Sequence, residues 1–123
     1  MQGLHLTADL RGCAAGSAVL CDPDALRAAC RQAVVDAGLQ PVGELFHRFP
    51  APGGVTGVVL LAESHLALHT WPEIGGVTID VYVCNLHGDN RVRAAALLAA
   101  LEAGFGAAQA HHQRLERGTP RVA

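Results

Sequence analysis

The stretch that most constrains this chain runs from Thr56 to Asn85, TGVVLLAESHLALHTWPEIGGVTIDVYVCN. Two apolar runs meet at Ala62-Glu63-Ser64-His65, and a third, Val77 to Val83, follows a turn and ends on Cys84. Runs of this length, rich in Val, Leu and Ile and bounded by turn residues, read as buried strands. Strands joined by such short connections pair antiparallel, so the stretch commits the chain to a sheet. A Glu-Ser-His step between two buried strands is out of place unless it does chemistry. The same stretch carries His69, Glu73 and Cys84, a base, an acid and a thiol, and is read as the active site.

The remaining elements follow from periodicity. Leu4, Leu6, Ala8 and Leu10 alternate with polar residues, the pattern of a half-buried strand. Residues 11–21 read as a loop. Asp22-Pro23-Asp24 starts a helix, with Asp22 as N-cap and Pro23 at the first helical position. Leu26, Ala29, Ala33, Val34 and Ala37 form its apolar face, and Gly38 closes it. A strand is predicted over 39–49, a turn over Pro50 to Gly54, and strands over 55–62, 65–71 and 76–84. Asp89-Asn90 caps a second helix over 91–103, with Val92, Ala95, Ala96, Leu98, Ala99 and Leu101 facing the core and Gly104 as its stop. A short last strand near 107–115 and a disordered end complete the chain. The order is β-α-β-β-β-β-α-β. The predicted fold is an α/β (α+β) two-layer sandwich, an antiparallel sheet with two helices on one face.

Composition narrows the function classes. At 123 residues the chain is one domain, half hydrophobic but only 4% aromatic, with a net charge of −2. No basic patch points to nucleic acid. No apolar run reaches the length of a membrane span, and the first residues carry no secretory signal pattern. The four cysteines show no CxxC spacing, so reduced thiols in the cytoplasm are expected. Cys13, Cys21 and Cys30 read as small core residues.

Three chemistries compete at the centre. A Ser flanked by an acid and a His suggests a hydrolase, but no G-x-S-x-G elbow or strand-turn-helix context surrounds Ser64. His65 and His69 have H-x-x-x-H spacing. On a strand, however, they lie about 13 Å apart along the backbone, too far for one metal ion. The third chemistry consumes Ser64. Attack of its hydroxyl on the Glu63 carbonyl turns the peptide into an ester. Elimination then gives dehydroalanine, and loss of ammonia leaves a pyruvoyl group. This needs a strained Glu63–Ser64 bond, donors for the oxyanion and a nearby base. Thr56 and His69 are the candidate polar groups.

Ala62-Glu63-Ser64-His65-Leu66-Ala67-Leu68-His69-Thr70-Trp71-Pro72-Glu73 resembles the ESH(x)3HTWPE signature of the prokaryotic S-adenosylmethionine decarboxylase proenzymes. Leu4-His5-Leu6 resembles that family's first strand, Phe46-His47-Arg48-Phe49 its F-H-x-F segment, and Thr78 to Cys84 its D-x-(Y/F)-x-C strand. The resemblance implies self-cleavage into a β chain, 1–63, and an α chain, 64–123. It implies that Ser64 becomes a pyruvoyl group, with no metal and no pyridoxal phosphate. That group forms a Schiff base with S-adenosylmethionine and acts as electron sink for loss of CO2, feeding spermidine synthesis. His69 would assist processing, Cys84 would return a proton to the substrate, Glu73 would bind ribose hydroxyls and Phe49 would stack on adenine. A homodimer with sites near the subunit interface is implied as well.

The chain departs from the family pattern in three places. Thr56 stands where Ser is usual, which implies slower cleavage. Asn85 stands where Gly is common. The loop Pro50 to Gly54 is one residue longer. Two other functions stay open on this reading: a pyruvoyl decarboxylase of ornithine or arginine on the same scaffold, and an unprocessed, non-catalytic paralogue.

Overall fold

The structure, a computed structural model, describes residues 1–14 and 16–118. Six strands form one antiparallel sheet: β1 (Gln2–Arg11), β2 (Pro41–Arg48), β3 (Val55–Leu61), β4 (Ser64–Trp71), β5 (Gly76–Cys84) and β6 (Gln109–Gly118). Their order across the sheet is β2-β3-β4-β5-β1-β6. The three consecutive strands β3, β4 and β5 are neighbours, as their short connections require, and β1 and β6 extend the sheet beyond β5. Helices α2 (Pro23–Asp36) and α3 (Arg91–Phe105) cover one face, and α1 (Ala18–Cys21) is a single turn beside them.

Side-chain alternation sorts the sheet into two faces. Leu4, Leu10, Val59, Leu66, Leu68, Ile79 and Val81, all at most 2% exposed, meet Leu26, Val34 and Leu97 from the helices. Among the described residues nothing forms a layer over the other face. It carries His5, Asp80, His65 and His69 beside apolar residues, of which Leu45 is 70% and Leu60 51% exposed. Asp80 lies on this open face and pairs with His5 Nε2 at 2.9 Å.

Local sequence signals placed most boundaries. Asp22 caps α2, its carboxylate accepting from the Asp24 N–H at 2.9 Å. Gly38 takes the left-handed conformation just past the helix. Four expectations need correction. The loop over 11–21 contains α1, too short for periodicity to register; it is fixed by the complete burial of Leu20. Gly104 does not stop the last helix. Burial of Phe105 carries the helix one residue on, and Gly106 at φ 60° ends it. The buried stripe of α3 is Ala94, Leu97, Leu98, Leu101 and Phe105, whereas Val92 is 80% exposed and Ala95, Ala96 and Ala99 face solvent. A helix this rich in Ala is apolar all round, so its sequence does not mark a core face. The last strand spans Gln109–Gly118 rather than 107–115. The expected disordered end at 119–123 lies outside the described residues.

Burial explains the quiet cysteines. Desolvation, with the Glu44 carboxylate nearby, pushes the Cys30 thiol up to about 12, and burial raises Cys13 as well. Neither thiol is poised to react. No helix among the described residues is long and apolar enough to cross a membrane.

Candidate active site

The Glu63–Ser64 bond sits in the two-residue hairpin between β3 and β4, where Leu61 pairs with Ser64. Glu63 has φ 62°, making it the only non-glycine residue with positive φ among the described residues. Positive φ at the second loop residue is what a type II turn demands, normally of glycine. For an L-residue with a full side chain this conformation costs on the order of 1–2 kcal/mol. The bond expected to break is thus attached to a strained residue. Its neighbours hold it in place. The Cys84 N–H donates to Ser64 Oγ at 3.2 Å, and Ser64 is only 8% exposed. The Glu63 carboxylate pairs with His87 Nε2 at 3.0 Å.

Cys84 closes β5 beside this turn and is 7% exposed. The loop behind it is wound back onto it. The Asn90 amide donates to the Cys84 carbonyl at 2.9 Å, and the Asn90 N–H donates to Asn85 Oδ1 at 2.8 Å. Asn85, the departure from glycine, therefore has a local task. Asn90 spends its side chain here and does not cap α3; Asp89 accepts from the Arg91 N–H instead, at 3.0 Å.

The other predicted residues gather at the opposite end of β4. Thr56 pairs with His69 across β3 and β4, and Thr56 Oγ1 lies 2.9 Å from His69 Nδ1. Phe49, Pro50, Gly54, Thr56, His69, Trp71 and Glu73 line a cavity of about 420 Å³. Glu73 reaches it from the short 3-10 turn Pro72–Ile74. Phe49, 48% exposed, meets the His47 ring edge-on with centroids 4.7 Å apart. The loop at 50–54 closes through the Phe49 N–H to the Gly54 carbonyl, 2.9 Å. It is pressed so close to β4 that a Cβ on Gly54 would collide with the Thr70 carbonyl oxygen. Thr70 anchors the same corner: its hydroxyl donates to the Leu20 carbonyl at 2.7 Å and accepts from the Val55 N–H at 2.9 Å.

The predicted residues therefore form two groups. Ser64, Glu63 and Cys84 stand at one end of the sheet; Thr56, His69, Phe49 and Glu73 stand at the other. Ser64 and His69 are five positions apart on the strand, roughly 16 Å, and the odd spacing turns them to opposite faces. His65 and His69 share the open face of a strand, and no group of three metal-binding side chains occurs among the described residues. Sequence reasoning assigned no role to Trp71 or Thr70. Their place between His69 and Glu73 in the central motif was the available signal.

The model of the S-adenosylmethionine decarboxylase family matches residues 4–118. The chain belongs to the S-adenosylmethionine decarboxylase family. Members of this family are carboxy-lyases. The chain is 37% identical over 116 residues to the S-adenosylmethionine decarboxylase proenzyme of Moorella thermoacetica, spanning 94% of this chain and 87% of that protein. It is 43% identical over 82 residues to the proenzyme of Carboxydothermus hydrogenoformans, 67% of this chain and 62% of that one. Among solved structures, the adenosylmethionine decarboxylase from Aquifex aeolicus VF5 superimposes with a TM-score of 0.86 at 35% identity, covering 98% of this chain and 94% of its own. The sandwich expected from the strand pattern is thus the fold of this family.

Proposed function

We propose that this chain is a self-processing S-adenosylmethionine decarboxylase that cleaves itself between Glu63 and Ser64, into a β chain 1–63 and an α chain 64–123. The observation that carries this reading is the positive φ of Glu63 next to the buried Ser64. The turn is held in a conformation that cleavage relieves, and the attacking hydroxyl is already fixed by the Cys84 N–H. In the first step the Ser64 hydroxyl adds to the Glu63 carbonyl carbon, and the C–N bond breaks to leave an ester and a free amine. A base then removes the Ser64 α-proton, and the ester leaves as the carboxylate of Glu63. The remaining dehydroalanine takes up water and loses ammonia. The resulting pyruvoyl group supplies an electron sink for loss of CO2 from an amine-bearing substrate.

The cavity at the His69 end takes the nucleoside. At about 420 Å³ it is within the usual range for small-molecule sites. Phe49 offers an aromatic face for adenine, and the Glu73 carboxylate accepts from the ribose hydroxyls. Cys84, beside Ser64, returns the proton to the substrate carbon. These features favour S-adenosylmethionine over ornithine or arginine, which bring no ring to stack.

A homodimer completes the site. On one chain, His69 and the cavity cannot reach Ser64. A two-fold axis running across the strands, between two open sheet faces, lays β4 over β4 of a second copy with its ends reversed. The Glu63–Ser64 turn at the end of β4, with Cys84 beside it, of one copy then approaches Thr56, His69 and the cavity of the other. The same contact covers Leu45 and Leu60, which the single chain leaves exposed.

The test has two readings. Denaturing mass spectrometry of the purified protein is expected to give two fragments meeting at Glu63/Ser64, the second lacking a free amino terminus. Carboxyl-labelled S-adenosylmethionine is expected to release CO2, while labelled ornithine and arginine are not. A chain that stays intact after prolonged incubation overturns self-processing. Release from ornithine or arginine instead overturns the substrate.

A further inference from the structure

We infer that Trp71 is a positioning residue for His69. The inference rests on the proposed role of His69 in cleavage. The two side chains are two residues apart on β4 and so share the open face. Their rings stack with centroids 5.8 Å apart and planes 25° from parallel. Thr56 Oγ1 holds one atom of the imidazole, Nδ1, at 2.9 Å. One hydrogen bond fixes a point and leaves the ring free to pivot about it. The indole, lying against the ring face, opposes that pivot. Together the two contacts fix both the position and the plane of the imidazole, leaving Nε2 as the nitrogen available to a reacting group.

The mount of Trp71 suits this task. It precedes the turn Pro72–Ile74, whose Pro72 is buried, and it pairs with Gly76 on β5, which offers no side chain to displace it. It is 38% exposed and lines the cavity beside His69. A ring stack of this kind favours one orientation by a factor of roughly 3 to 10. The other titratable groups around His69 are Glu73, which lines the same cavity, and His47, the strand partner of Thr56.

Trp71 is the only tryptophan in the chain, so its emission reports on this contact alone. In a Ser64→Ala background, which keeps the chain whole, emission is expected to change in His69→Asn, which removes the stacked imidazole, and to stay unchanged in His47→Gln. In the Ser64 chain, Trp71→Leu is expected to slow cleavage, followed by intact mass, on the order of tenfold, while Trp71→Phe stays within about threefold. Thermal melts are expected to be similar for both. Emission indifferent to His69→Asn overturns the contact. Cleavage by Trp71→Leu at the unmodified rate, or equal slowing by Trp71→Phe, overturns the positioning role. If His69→Asn itself cleaves normally, the role of His69 falls, and with it the reason to position it.

Discussion

The Ser64 end of β4 and its His69 end differ in what holds them and in what they offer. At the first, a two-residue turn carries an acid in a left-handed conformation, the serine is buried, and the loop after β5 is latched to Cys84 by Asn85 and Asn90. At the second, positive φ falls only on glycines, and rings and a carboxylate surround a cavity anchored by Thr70 and the close approach of Gly54. One end holds the strained Glu63 next to Ser64; the other holds His69, the Glu73 carboxylate and a cavity, to which the proposed function assigns the base and the nucleoside. Placing them five residues apart on one strand means that a single chain holds both halves of the chemistry without joining them. On the proposed reading, activity depends on association.

Substitutions can break this comparison, the strongest first. Ser64→Ala is expected to abolish cleavage and CO2 release altogether, while the cavity at the other end still binds a nucleoside such as 5′-methylthioadenosine, measured by calorimetry. Loss of that binding would mean the two ends are not separable. Cys84→Ala is expected to leave cleavage intact but lower kcat for decarboxylation about 100-fold, in the range for loss of a positioned proton donor. Equal loss of both activities would show that Cys84 serves the turn and not the substrate. Thr70→Val leaves the Leu20 carbonyl and Val55 N–H buried without partners. In a Ser64→Ala background it is expected to destabilise the chain by about 2–4 kcal/mol in urea unfolding. The smallest effect is of opposite sign. Glu63→Gly in the same background is expected to stabilise the uncleaved chain by about 1 kcal/mol, because glycine accepts positive φ without penalty. Unfolding free energies that are unchanged or lower would place the strain elsewhere.

Much of this was legible in the sequence because β-rich local signals and the fold agree. The apolar runs at 55–62, 65–71 and 76–84 are strands that pair in order, and Asp22 caps its helix by the bond its side chain predicts. The face of α3 was not legible, since alanine marks no direction; Phe105, buried by tertiary contact, set the helix end instead of Gly104. The site was legible as a set of residues but not as an arrangement. Period-two alternation already places Ser64 and His69 on opposite faces, yet the adjacency of Ser64, His69 and Glu73 in one motif invited reading them as one cluster. The local role of Asn85 was invisible for another reason: its partner Asn90 lies across a loop whose path depends on the end of β5.

The division of the site between two copies can be tested directly with two variants that each lack one half. Ser64→Ala and His69→Asn chains, carrying different tags and produced together, are purified through both tags in turn. The doubly tagged dimer then has one complete site, made of Ser64 from the His69→Asn chain and His69 from the Ser64→Ala chain. Mass spectrometry is expected to show the His69→Asn chain cleaved at Glu63/Ser64 in that dimer and intact when produced alone. An intact His69→Asn chain within a recovered mixed dimer, or failure to recover any mixed dimer, would contradict a site shared between subunits.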